Sequence, residues 1–110
     1  MEMQMYVVYD IKSRVYEPPK FCLNEDTAKR LFIGAFGNQR TSYNRFPRDY
    51  QVYYIGTFDD LTCMIKHQVP EYKWLAYDLI KEDDANQNML FQKDQITDQT
   101  QEKENAKSEG

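Results

Sequence analysis

An α+β domain, with one amphipathic helix packed on a small, mostly antiparallel sheet of three to four strands, is the fold class this sequence predicts. Three observations predict it. A strand-like run opens the chain at Met3–Lys12. A helical stripe follows at residues 25–36, and a tyrosine-rich strand at Tyr50–Phe58 then turns back on itself. The expected order is strand, helix, strand, strand, which is the two-layer solution for one helix and a sheet.

Within Met3–Lys12 one parity reads Met3, Met5, Val7, Tyr9, Ile11 and the other Gln4, Tyr6, Val8, Asp10, Lys12. Both faces are apolar at the centre, as an inner strand requires. Tyr16–Lys20 contains Pro18-Pro19, which cannot donate to a central ladder, and reads as a connection.

The helix has a start and a stop. Asn24 is a good N-cap, Glu25 and Asp26 suit the positive end of the helix dipole, and Gly37-Asn38 ends it. Ala28, Leu31, Phe32, Ala35 and Phe36 fall at i, i+3, i+4, i+7 and i+8, an apolar stripe for the core. Glu25 with Lys29 and Asp26 with Arg30 are i, i+4 pairs worth about 0.2 to 0.5 kcal/mol each.

Beyond the loop NQRTSYNRFPR, Tyr50–Phe58 alternates as a strand, Asp59-Asp60 breaks it, and Thr62–Lys66 reads as the return strand of a hairpin. After Pro70 two readings stay open. Tyr72, Leu75, Ala76, Leu79 and Ile80 match a helical stripe, while the tetrad Tyr72-Lys73-Trp74-Leu75 also suits a strand. From Glu82 onward core formers nearly vanish, so residues 1–81 are expected to form the domain and residues 82–110 an acidic, Gln-rich, mostly disordered tail, from about 88 onward above all.

The totals support this division. The chain has 110 residues, too few for more than one domain, and its mean hydropathy of -0.84 implies a small core. Fifteen per cent of it is aromatic, so large rings with polar tips must build that core. The net charge of -4 conceals an asymmetry: residues 1–81 carry 11 Lys and Arg against 10 Asp and Glu, and residues 82–110 carry 3 against 8. An acidic whole therefore does not exclude a nucleic-acid partner for the nearly neutral domain.

No catalytic or metal-binding constellation stands out, and neither an enzyme nor a cofactor is expected. His67 has no Ser, Cys or carboxylate at a recognisable spacing. Cys22 and Cys63 are too few for a disulfide framework, show no metal-ligand spacing, and read as small buried hydrophobes in a reduced, cytoplasmic setting. Asp59-Asp60 lacks the ligand count that calcium demands and reads as a turn. The start MEMQMYVVYD lacks the pattern of a secretory signal, and nothing approaches the roughly 18 apolar residues of a membrane span.

One constellation suggests binding. Arg40, Tyr43, Arg45, Phe46, Arg48 and Tyr50 alternate cations with rings, the pairing that single-stranded nucleic acid needs, with guanidinium for phosphate and π-faces for unstacked bases. The structural alternative stays open: Phe46 and Tyr50 as core residues flanking Pro47, and Arg48-Asp49 as a local ion pair.

Read in order, Tyr6, Tyr9, Asp10, Lys12, then Ala28, Arg30, Phe32, then Pro47, Asp49, Tyr50, and Gly56, Phe58, Asp59 with Val69-Pro70 resemble the small non-structural protein of gokushoviruses. These are tailless single-stranded DNA phages of the Microviridae, and the protein, the product of their fifth reading frame, is often labelled DNA-binding. The match spans residues 3 to about 70. Gly37-Asn38-Gln39-Arg40 departs from the family's more open turn, and the tail after residue 82 has no counterpart.

The resemblance implies a non-enzymatic accessory of viral genome replication or packaging, working in the cytoplasm of the infected bacterium on single-stranded DNA or on the replication complex. With it, Arg40, Tyr43, Arg45, Phe46 and Arg48 become the expected nucleic-acid contacts. The alternative is an adaptor that pairs through a sheet edge with itself, as a homodimer, or with a replication or assembly partner.

Overall fold

Four consecutive residues, Met5 to Val8, are buried in the first strand, β1 (Glu2–Asp10), so both of its faces are covered. The computed structural model describes residues 1–89. It places β1 inside an antiparallel five-stranded sheet ordered β2 (Val15–Tyr16), β1, β4 (Tyr50–Asp59) and β5 (Ile65–Leu75), with β3 (Lys20–Cys22) also on β1. The α+β class and the inner position of β1 are as the sequence predicts.

The di-proline connection does more than connect. The chain meets the free side of β1 twice, at β2 (Val15–Tyr16) opposite Tyr9 and Asp10, and at β3 (Lys20–Cys22) opposite Gln4 to Tyr6. Pro18 and Pro19 lie in the gap between them, where missing N–H donors do no harm. A broken edge strand thus stands where a loop was expected.

The helix α1 (Glu25–Gly37) starts as anticipated, with the Asn24 side chain accepting from the Thr27 N–H at 2.8 Å. Its buried side differs from the expected stripe. Ala28, Phe32 and Phe36 are inside and Ile33 packs against them, whereas Leu31 is 45% exposed and Ala35 is also exposed. Contact therefore falls along the i, i+4, i+8 line and is rotated toward the Ile33 flank. Glu25 also reaches across the fold to Lys73, 2.6 Å away, which gives it a tertiary partner.

One core cluster lies between the helices and the sheet: Tyr6, Val8, Tyr50 and Val52 from the sheet, Ala28, Phe32 and Phe36 from α1, and Ala76 and Leu79 from the chain after the last strand. Cys22 belongs to it, and burial pushes its thiol pKa up. Cys63 does not. It is exposed in a turn at φ 63°, a correction to its expected place in an apolar strand.

That turn joins β4 (Tyr50–Asp59) to β5 (Ile65–Leu75). Asp59 organises it: its carboxylate accepts from the Leu61 N–H at 2.9 Å, its carbonyl from the Cys63 N–H at 2.8 Å. The Leu61 hydrogen bond is the main cause that lowers the Asp59 pKa. The return strand starts later than Thr62 and runs much longer than expected, through Pro70 to Leu75; Pro70 is tolerated because β5 is an edge strand.

Residues 76–89 are helical. The two open readings of 72–80 are thus both realised, strand to Leu75 and helix from Ala76. Met1–Ile80 forms one compact unit, and a second begins at Lys81. Residues 82–89, expected to begin the tail, are helical; the expectation of disorder for 90–110 lies outside the described residues.

Candidate nucleic-acid interface

The loop after α1 folds into two short helical turns. Thr41 caps α2 (Ser42–Arg45), its side-chain oxygen accepting from the Asn44 N–H, and Asn44 Nδ2 donates to the Phe36 carbonyl at 3.0 Å. A 3-10 turn, Pro47–Asp49, then leads into β4. Proline suits its first position because that N–H would lack a partner in any case.

These turns separate the five expected contact residues. Arg45, Phe46 and Arg48 come together, and with Pro47, Asp49 and Tyr77 they line an open hollow of about 280 Å³. Phe46 is 58% exposed, and the Arg48 guanidinium carbon lies 4.2 Å from the centre of the Tyr77 ring. Tyr43 turns inward: its ring meets Phe36 and Tyr50 edge to face at 5.2 and 4.8 Å, and its hydroxyl donates to the Glu17 carboxylate. Burial and that bond push its hydroxyl pKa up. Arg40 is exposed in the turn between α1 and α2 and does not line the hollow. Tyr77 is the residue the motif alone did not mark.

A second basic segment abuts the first. The Ile11 N–H donates to the Asp49 carbonyl at 2.8 Å, which ties the β1–β2 turn, with exposed Lys12 and Arg14, to the 3-10 turn. Asp10 supports the turn by accepting from the Lys12 and Ser13 N–H groups at 3.0 and 3.3 Å. Its carboxylate is thereby engaged with backbone amides.

The sheet's other face carries a feature that the sequence reading missed. Every helix element in the core cluster packs on one side, yet Met5 and Val7, whose side chains point to the opposite side, are only 4% exposed. Rings seal them. Tyr16, Tyr9, Tyr53 and Tyr72 form a row across all four strands of the path β2-β1-β4-β5, with centroid separations of 4.6, 6.2 and 5.8 Å. Phe21 and Phe58 add a further pair at 5.4 Å. Tyr16 and Tyr72 remain about half exposed. Burial and the neighbouring hydroxyls of Tyr16, Tyr72 and Tyr9 raise the Tyr53 pKa. The signal was present in the parity of Tyr9 and Tyr53 along their strands.

A polar niche between Gln4, Tyr6, Glu25, Tyr54, Glu71 and Lys73, about 260 Å³, is self-satisfied. Lys73 bridges Glu25 and Glu71 at 2.6 and 2.7 Å, and Tyr6 donates to Gln4 at 2.6 Å. Those two carboxylates hold the Lys73 pKa up. Among the described residues no three His, Cys, Asp or Glu side chains gather as metal ligands, and no helix is long and apolar enough to cross a membrane.

The family model described as phage ORF5 protein matches residues 3–78. No curated protein and no solved structure matches the chain.

Proposed function

From the premise that the chain belongs to the phage ORF5 protein family, we propose that it is a DNA-binding accessory of a single-stranded DNA phage of the gokushovirus kind. In this reading it holds single-stranded DNA during genome replication or packaging in the host cytoplasm. The observation that carries the reading is the hollow in which Arg45 and Arg48 flank the exposed ring of Phe46 and the half-buried ring of Tyr77. Guanidinium groups recognise phosphate, and rings beside them offer stacking to an unstacked base. Lys12 and Arg14, tied to the same end of the sheet, extend the positive strip.

In this reading the role is one of binding. His67 stands exposed on β5 and Cys63 exposed in its turn. The adaptor alternative would use β5, the exposed edge. Pro70 removes an N–H from that edge and Lys66 adds charge, both of which oppose strand addition.

The test is fluorescence anisotropy of a labelled single-stranded oligonucleotide titrated at several salt concentrations. Binding should weaken as salt rises, because counterions leave the DNA. The Arg45→Ala/Arg48→Ala variant should bind more weakly, its salt slope reduced by about 0.7 per lost phosphate contact. Parental affinity in the folded double variant would remove the loop from the site. Binding to a protein partner that ignores salt, with no DNA affinity, would favour the adaptor.

A further inference from the structure

We infer that the face of the sheet opposite the core helices is a stacking platform for single-stranded DNA, with bases lying on the row Tyr16, Tyr9, Tyr53, Tyr72 and phosphates running along the Lys12 and Arg14 turn. This rests on the DNA-binding reading above and assigns that reading a second surface, on other elements than the Arg45–Arg48 hollow.

Three observations select this occupant. The first is the composition of the outer layer. Met5 and Val7 are buried on this face, and the half-exposed rings of Tyr16 and Tyr72 carry hydroxyl tips, with the Phe21 ring also outward. Bases need π-faces with wet edges, which these tyrosines supply.

The second is dimension. The row crosses three inter-strand spacings of about 4.8 Å, a length of roughly 14 Å. Four-stranded sheets that stack unpaired bases on aromatic residues accommodate two or three on such a span. Duplex DNA keeps its base faces inside the stack and has nothing to offer this surface.

The third is charge complementarity at one end. Tyr16 follows the turn bearing Lys12 and Arg14, where the Asp10 carboxylate accepts from the Lys12 and Ser13 N–H groups. At the far end the negative charge of Asp78 acts on Tyr72. The polyanion is thus drawn toward the β1–β2 turn, which the Ile11–Asp49 hydrogen bond joins to the Arg45–Arg48 hollow. Arg14 itself holds φ 60°, a left-handed conformation where glycine costs less.

The experiment compares labelled oligothymidylate with an abasic deoxyribose-phosphate chain of the same length, using the full chain and the variants Tyr16→Ala, Tyr72→Ala, Tyr16→Phe and Arg14→Gly. Each alanine should weaken oligothymidylate binding about 5- to 100-fold with an unchanged salt slope, since stacking releases no counterions. Neither alanine should alter binding of the abasic chain, and Tyr16→Phe should retain parental affinity. Arg14→Gly should keep the melting temperature and lower the slope by about 0.7.

Parental affinity in both folded alanine variants overturns the platform; dependence on Arg45 and Arg48 would then leave the DNA-binding reading in place. An equal loss on the abasic chain overturns it too, because the rings would not be acting through bases. A dimer that Tyr16→Ala dissociates, with DNA affinity untouched, assigns the face to a second copy. Failure of the parent chain to bind any single strand overturns both readings.

Discussion

Gly56 faces the backbone of Lys66 so closely that a methyl group on its Cα would lie 2.0 Å from the Lys66 carbonyl oxygen. Its φ of +131° is itself a conformation that side-chain-bearing residues rarely adopt. The contact sits beside the bulges of β4, where the register with both β1 and β5 shifts. Here the strand bends, and Gly56 lets β5 stay in place. Gly56→Ala is expected to cost at least about 3 kcal/mol, since neither the backbone angle nor the opposing backbone can give way cheaply. Thermal unfolding gives the loss, and amide exchange should show β5 released first.

The buried line of α1 sets a contrast between neighbours. Phe32 is 2% exposed, and packs on the rings of Tyr6, Phe36 and Trp74. Phe32→Ala should cost about 3 to 5 kcal/mol, enough to unfold a small domain. Leu31→Ala, one position away and 45% exposed, should change stability by less than about 1 kcal/mol. Equal losses in chemical denaturation would mean that the helix packs on the wider stripe.

Alkaline pH should weaken the fold through Tyr6. Its hydroxyl pKa is raised from 10.0 to about 12, first by burial and then by the charge of Glu25, with Lys73 opposing. A group that holds its proton more tightly when folded contributes stability that is whole below pH 10.0 and lost as pH climbs toward about 12. Denaturant titrations across this window should show the loss in the parent and its reduction in Tyr6→Phe.

Tyr43 separates folding from binding. Tyr43→Phe keeps the ring against Phe36 and Tyr50 and removes only the hydrogen bond to Glu17, for about 1 kcal/mol of stability. Oligonucleotide affinity should be unchanged in that variant. Tyr43→Ala should lose several times as much stability, because it empties a packed site. A folded Tyr43→Phe with lost DNA affinity would return Tyr43 to the interface.

Much of the fold was legible because its signals are local. Asn24 and Gly37-Asn38 bracket α1 through backbone hydrogen bonds within a few residues, and Asp59 makes its turn with Leu61 and Cys63. Doubly apolar Met5 to Val8 announced an inner strand whatever its neighbours were. The loop arginines were likewise visible as a basic and aromatic run, and Arg45, Phe46 and Arg48 do share one hollow.

What stayed hidden depends on partners distant in sequence. Which flank of α1 is buried follows from where Trp74, Tyr6 and Ile33 meet it, and the switch from strand to helix after Leu75 follows from where pairing with Gln51 ends. Tyr43 had the composition of a binding residue, but Glu17, 26 positions earlier, claims its hydroxyl. The tyrosine row is the clearest case. Each ring is an ordinary strand residue by itself, and only the antiparallel register of β2, β1, β4 and β5 lines them up on the side that the core helices leave uncovered. The sequence by itself determined the elements, their order and the supply of rings and charges, because periodicity, caps and turns act over a few bonds. Only the tertiary structure decided which rings became core and which became surface, because strand register and the bulges beside Gly56 are set by packing between segments that the chain keeps far apart.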